Sequence, residues 1–213
     1  HEGEWNFGAH DQLVSDLRTV GMNILGILLW TPNWAATGEC IRISASSLDR
    51  YPTYWHAPVF RPTVAPMGET PPLCITTPPR GLYEEWDDWT TTDGDPINTW
   101  GRFVYTVAYR YRQSVKHWEV WNEPDYDWAW SGNYTDYAQL LKVAYQAVKV
   151  ACPDCTVLFG GIAYYEKPSF YSDVLSVLKS DPEALANNYF FDAMAIHLYS
   201  RSSSIYDVTV AIR

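Results

Sequence analysis

Basic residues and cysteines are scarce in this sequence, and no apolar run is long. Lysine and arginine number 15 against 25 aspartates and glutamates, a net charge of −10. Phosphate backbones and anionic membrane surfaces repel such a chain, and no basic cluster offsets the sum, which excludes nucleic acid as a partner. The longest apolar run, Ile24 to Trp30, falls far short of the roughly 20 residues of a membrane span. Low-complexity tracts and sequence repeats are absent as well. Hydrophobic residues still make up 47% of the 213 positions and charged residues 19%, enough for a core and without the composition of a disordered chain. No signal peptide is visible and the chain opens on His1 instead of Met, so it reads as processed or as an internal segment.

The four cysteines fall into two pairs. Cys40 and Cys74 share one loop-like stretch, whereas Cys152 and Cys155 form C-P-D-C. Zinc sites favour two CxxC pairs, or one followed by paired histidines, so a single CxxC assigns no metal. A redox dithiol gains reactivity from a helix N-terminus, and Cys152 follows a helix instead of opening one. Structural disulfides in an oxidising compartment are the expectation, with the connectivity left open. The sequon Asn133-Tyr134-Thr135 points the same way, towards an extracellular or cell-surface protein glycosylated at Asn133.

Aromatic side chains are in surplus, 16% of residues with 11 Trp and 16 Tyr. Such a content suits proteins that stack sugars or planar ligands, and also large barrel cores. Along the chain, amphipathic helices alternate with short apolar strands. The spacing predicts a helix over about Asp11 to Val20, with Leu13, Val14, Leu17 and Val20 on one face and Gly21 as its stop. Strand Ile24 to Trp30 follows, apolar on both faces as a buried parallel strand is. A second helix takes Asp95 as N-cap and Pro96 at its first position, burying Trp100, Phe103, Val104, Val107, Ala108 and Tyr111. Next come strand Trp118 to Asn122 and a helix over about Asp136 to Val150, then strand Thr156 to Gly161. A helix over about Ser169 to Ser180 leads to strand Asp192 to His197, and Ser204 to Arg213 begins another helix.

This alternation predicts an α/β fold with a parallel sheet. The last three strands recur at about 36 to 39 residues, a spacing that suits a (β/α)8 TIM barrel. Residues 31–94 interrupt the rhythm: they hold nine of the 14 prolines, four Trp, Cys40 and Cys74. A loop of that length leaving the C-terminal end of a barrel strand is expected to be ordered and to serve the site.

The sharpest local signal is Trp118-Glu119-Val120-Trp121-Asn122-Glu123-Pro124-Asp125. Pro124 cannot donate to a ladder, so the strand ends there and presents Glu123 at its C-terminal mouth. An amide beside a carboxyl group suits sugar chemistry, the first binding a hydroxyl and the second protonating a glycosidic oxygen. A solvated Glu before a turn explains the same letters.

W-N-E-P at a strand end resembles the acid/base motif of the retaining glycoside hydrolases of clan A, in particular family 39 and similar family 5 proteins. Other segments resemble the clan in order: Gly3-Glu4-Trp5-Asn6-Phe7 with Asp11-Gln12-Leu13-Val14, then Thr31-Pro32-Asn33-Trp34-Ala35, Gly160-Gly161, and Phe191-Asp192-Ala193-Met194-Ala195-Ile196-His197-Leu198-Tyr199. The resemblance implies strands three to six of the barrel, Glu123 as general acid/base and Asn122 on the sugar 2-hydroxyl. It places His197 and Tyr199 at the mouth of the sixth strand, where substrate or nucleophile contacts sit. Trp34, Trp128 and Trp130 are candidate stacking platforms. Glu166 and Asp125 match no catalytic position of the clan. A carbohydrate substrate and no cofactor are implied.

Retaining hydrolysis also needs a second carboxylate about 5 Å from the first. The resemblance puts that Glu on a seventh strand, outside this sequence, and the first two strands ahead of His1. The expectation is therefore a partial catalytic domain over residues 1–213, completed by further sequence or by another chain, because half a barrel leaves open edges. Two other readings stand beside it: a glycan-binding or surface-assembly protein without turnover, and a thiol oxidoreductase built on C-P-D-C.

Overall fold

Strands apolar on both faces, joined by amphipathic helices, are stable as a parallel sheet with helices packed over it. The computed structural model describes residues 5–37, 75–87, 97–198 and 202–212 and has that arrangement. Helix α1 (Gly8–Thr19) leads to strand β1 (Ile24–Leu28) and a short 3-10 turn (Asn33–Ala35). Then follow α2 (Thr99–Tyr111), β2 (Val115–Asn122), α3 (Tyr134–Ala151), β3 (Thr156–Ile162) and α4 (Phe170–Lys179). A second 3-10 segment (Leu185–Phe190), β4 (Ala193–Ile196) and α5 (Ser203–Ile212) complete the described chain. The four strands are parallel in the order β1-β2-β3-β4, each beside its sequence neighbour.

The register places Gly26 beside Trp118 and Trp118 beside Val157, and places Leu28, Val120 and Phe159 in one row. That face is buried: Leu28, Trp118, Val120, Val157 and Phe159 all belong to the core, with Trp100 and Val104 of α2 and Tyr137, Leu140, Leu141, Ala144 and Val148 of α3. Gly26 is there because Trp118 lies across it; an added Cβ would stand 2.4 Å from the indole. On the opposite face Leu25 and Ile27 are 48% and 45% exposed, so β1 is covered on one face, not on both as its apolar run predicts.

Several element ends differ from the sequence expectation, each for a local reason. The N-cap of α2 is Asn98, whose side chain accepts the Gly101 N–H, so Asp95 does not cap this helix. Asp95 and Pro96 lie outside the described residues, as do Cys40, Cys74 and Tyr199. Helix α3 begins two residues earlier than its apolar rhythm, because Asn133 caps it. The Asn133 side chain accepts from Thr135 and Asp136 N–H, and Asp136 accepts the Asn133 N–H in return, a reciprocal capping box.

Helix α1 has no fully buried residue: of its apolar face, Leu13 and Val20 are 56% and 69% exposed, while Val14 and Leu17 are half-buried, Val14 against the core. Its first turn adds a polar anchor: Asp11 accepts from Arg110 Nε at 2.8 Å and Tyr111 hydroxyl at 2.9 Å. The Arg110 guanidinium also lies 4.6 Å from the Phe7 ring centre. Cys152, the C-cap of α3, is joined to Cys155 by a disulfide.

Candidate functional site

One end of the sheet is built from unusual backbone. Trp30, Trp121, Glu123 and Tyr164 have φ of 71°, 72°, 47° and 74°, and they lie at or just beyond the C-terminal ends of β1, β2 and β3. Left-handed conformations in bulky residues cost on the order of 1–3 kcal/mol each and persist where surrounding structure enforces them. At Trp121 the ladder between β2 and β3 skips a pair, passing from Val120 beside Phe159 to Asn122 beside Gly161. The Tyr137 hydroxyl fills the gap from α3, donating to the Val120 carbonyl and accepting the Gly160 N–H, both at 2.9 Å.

The bend aims Glu123 across the end of β3. Its N–H donates to the Gly161 carbonyl at 2.9 Å, and the His197 N–H, just past β4, donates to the Ile162 carbonyl at 2.9 Å. The two side chains meet, with His197 Nδ1 3.1 Å from Glu123 Oε1. The other ring nitrogen, Nε2, lies 3.5 Å from Glu119 Oε1, and that oxygen accepts the Gly161 N–H at 2.9 Å. His197 therefore sits between two carboxylates, Glu119 at 2% and Glu123 at 5% exposure. Glu119 first and Glu123 second hold its protonated form, so the imidazole pKa is pushed up to about 9 although partial burial opposes the charge.

Asp125 braces the loop after β2. Fully buried, it accepts the N–H groups of Ala163 at 3.1 Å and Tyr164 at 2.6 Å, tying the end of β2 to the end of β3. Burial pushes its carboxyl above the usual aspartate range, the two N–H groups oppose that shift, and the Glu123 charge adds to it. Trp121 Nε1 donates to the Ala129 carbonyl at 2.9 Å, closing the turn that follows Glu123.

Of the residues singled out in the sequence, Glu123, Asn122 and His197 converge at this end of the sheet, with Asn122 half-buried and paired to Gly161. Trp128 is half-buried in the turn after Glu123, its ring 5.8 Å from that of Tyr126. Trp34 is elsewhere: 42% exposed, it lines an aromatic cavity of about 230 Å³ with Trp5, Trp30, Trp100 and Phe103, whose walls include neither Glu123 nor His197. Trp130 is no platform, because it is 1% exposed and packed edge-on against Trp121 in the core. Glu166 is exposed. Cys152, Asp154 and Cys155 form the one cluster of possible metal ligands among the described residues, and both sulfurs are held in the disulfide.

Glu119 was not singled out by sequence reasoning, although a signal existed. A carboxylate inside the apolar run Trp118 to Trp121 is costly to bury unless paired, so its position in the strand already called for a partner. Neither Glu119 nor Asp125 offers a free carboxylate beside Glu123, since both are buried and engaged by backbone N–H groups.

No protein family's sequence pattern matches the chain, and no curated protein does. The chain is similar in part to solved structures. A glucosidase from Croceicoccus marinus is 15% identical over 82% of this chain and 27% of its own, with a TM-score of 0.45. A family 39 glycoside hydrolase from the gut symbiont Bacteroides cellulosilyticus WH2 is 21% identical over 92% of this chain and 29% of its own, at 0.46. A GH39 beta-xylosidase from Caulobacter crescentus is 16% identical over 100% of this chain and 48% of its own, at 0.48. Two of the three are family 39 glycoside hydrolases. The chain spans less than half the length of each of these proteins.

Proposed function

We propose that the chain is part of the catalytic domain of a secreted retaining glycoside hydrolase, with β1 to β4 serving as the third to sixth strands of a (β/α)8 barrel. Glu123 is the general acid/base, Asn122 the contact to the sugar 2-hydroxyl, and His197 a substrate contact at the mouth of the sixth strand, with Tyr199 a further substrate-binding residue. Trp128, in the turn after Glu123, is the stacking platform close to the acid in sequence, and Trp34 serves a separate subsite. In the first step Glu123 gives its proton to the glycosidic oxygen as the C–O bond breaks, while a second carboxylate outside this sequence bonds to the anomeric carbon. In the second, Glu123 removes a proton from water, which displaces that carboxylate.

The observation that carries the reading is the buried Glu123 carboxyl 3.1 Å from His197 Nδ1, at the C-terminal ends of parallel strands where α/β enzymes hold their sites. Its test is Glu123→Gln in the full-length protein against aryl and natural β-xylosides and β-glucosides. Hydrolysis of natural glycosides is expected to fall about 10²–10⁴-fold, and less for aryl glycosides, whose leaving group needs little protonation. Unchanged hydrolysis overturns the assignment, and glycan binding without turnover in the unaltered protein favours the binding-protein reading.

A further inference from the structure

We infer that Glu119 is a positioning residue, whose buried carboxylate keeps a proton on His197 Nε2 and so turns Nδ1 towards Glu123. The inference rests on the reading of Glu123 as the acid. A neutral imidazole has one N–H and one lone pair, and which nitrogen bears the hydrogen follows from the partner of the other. Nε2 faces Glu119 at 3.5 Å and Nδ1 faces Glu123 at 3.1 Å.

Glu119 is already committed as an acceptor, because the Gly161 N–H points at the same oxygen from 2.9 Å. It is nearly fully buried on β2, where an ionised carboxylate persists only with such partners. Facing that acceptor, Nε2 is the donor in every state of the pair. One further proton then lies between Nδ1 and Glu123 Oε1, on either atom. Held on Glu123 it is the acid's proton; held on Nδ1 it leaves an imidazolium between two carboxylates. Both states carry the same number of protons, and Glu119 stabilises the pair that contains them.

The surroundings keep the ring in this pose. Gly161 leaves the space the imidazole occupies, since an added Cβ would stand 2.1 Å from Nε2. The His197 N–H is fixed on Ile162 and the Glu123 N–H on Gly161. The charged or titratable groups that bear on this cluster include Glu119 and Glu123 on the ring itself, Asp125 and Tyr126, each of which senses the Glu123 charge, and Tyr137, which senses Glu119 and Asp125.

Glu119→Gln separates charge from shape, because the amide oxygen still accepts the Gly161 N–H while the negative charge is gone. The primary readout is the imidazole ¹⁵N spectrum of the full-length protein across pH, with the His197 signal identified by its loss in His197→Gln. In the unaltered protein Nε2 should carry its hydrogen across the whole range, with one further proton held between Nδ1 and Glu123 at neutral pH. In Glu119→Gln the His197 midpoint should fall by about 1–3 pH units, and the alkaline limb of kcat/KM on glycosides should move down with it while KM changes less than twofold.

A His197 that bears its hydrogen on Nδ1 alone in the unaltered protein overturns the inference, even if the variant fails to fold. So does a folded variant whose His197 midpoint does not move. Absence of glycoside hydrolysis in the unaltered protein refutes the enzyme reading instead, and the spectra still decide whether Glu119 sets the imidazole.

Discussion

The imidazole of His197 occupies the space that any side chain on Gly161 would need: a Cβ built there lies 2.1 Å from Nε2 and 2.3 Å from Cδ2. The obstacle is a ring flanked by a carboxylate at each nitrogen, not the loose tip of a flexible chain. Gly161→Ala should therefore expel His197 from between Glu119 and Glu123, destabilising the protein by about 1–3 kcal/mol. Activity should fall at least as far as in His197→Ala. Urea denaturation and hydrolysis rates on the two variants check both statements.

His197 also makes stability depend on pH, with a sign that can be worked out. Its folded pKa of about 9 lies above the ordinary 6.5, so the folded state binds the proton more tightly. The stabilisation is fully present below about pH 6.5 and is lost as pH rises through about 9, a change of up to about 3 kcal/mol. Denaturation midpoints taken from pH 6 to 10 should show that slope, and His197→Gln should flatten it. An equal slope in the variant would remove His197 as its source.

Tyr137→Phe deletes one oxygen and orphans two backbone groups. The Val120 carbonyl and the Gly160 N–H are both satisfied by that hydroxyl inside the core, and an unpaired buried group costs about 1–3 kcal/mol. Chemical denaturation should report a loss in that range or above. Hydrogen exchange at Gly160 should accelerate more than at Val157 on the same strand.

Asn133 holds two assignments that one pair of substitutions separates. As N-cap of α3 it accepts two backbone N–H groups; as the first residue of a sequon it is the expected glycan acceptor. Asn133→Ala should cost about 1 kcal/mol, whereas Asn133→Asp keeps the cap and should be near neutral. Expressed in a glycosylating host, both should lose any glycan mass that the unaltered protein carries, measured by intact mass spectrometry.

The regular parts of this fold were legible because their signals are periodic and local. Tyr137, Leu140, Leu141, Ala144, Tyr145 and Val148 recur at helical spacing and all are buried in α3, and Pro124 marks the end of β2. Caps were read less well, since Asn98 and Asp95 are both good cap residues and only the chain path chooses between them. At the site, Glu123 and His197 could be named singly from motif and strand end. Their meeting could not, because it depends on a left-handed Trp121, a missing side chain at Gly161 and the position of β4 beside β3. Glu119 escaped notice for a related reason: its partners lie 42 and 78 residues away in sequence, at Gly161 and His197.

The left-handed turn at Trp121 sets two kinds of selection against each other at one position. Glycine there would relax the backbone and, judged by φ alone, stabilise the protein. It would also remove an indole that is fully buried, hydrogen-bonded to Ala129 and packed edge-on against Trp30, Trp100 and Trp130. A search for more stable variants and a search for more active ones should thus diverge first at the end of β2, where local comfort of the chain and the aim of Glu123 make opposite demands.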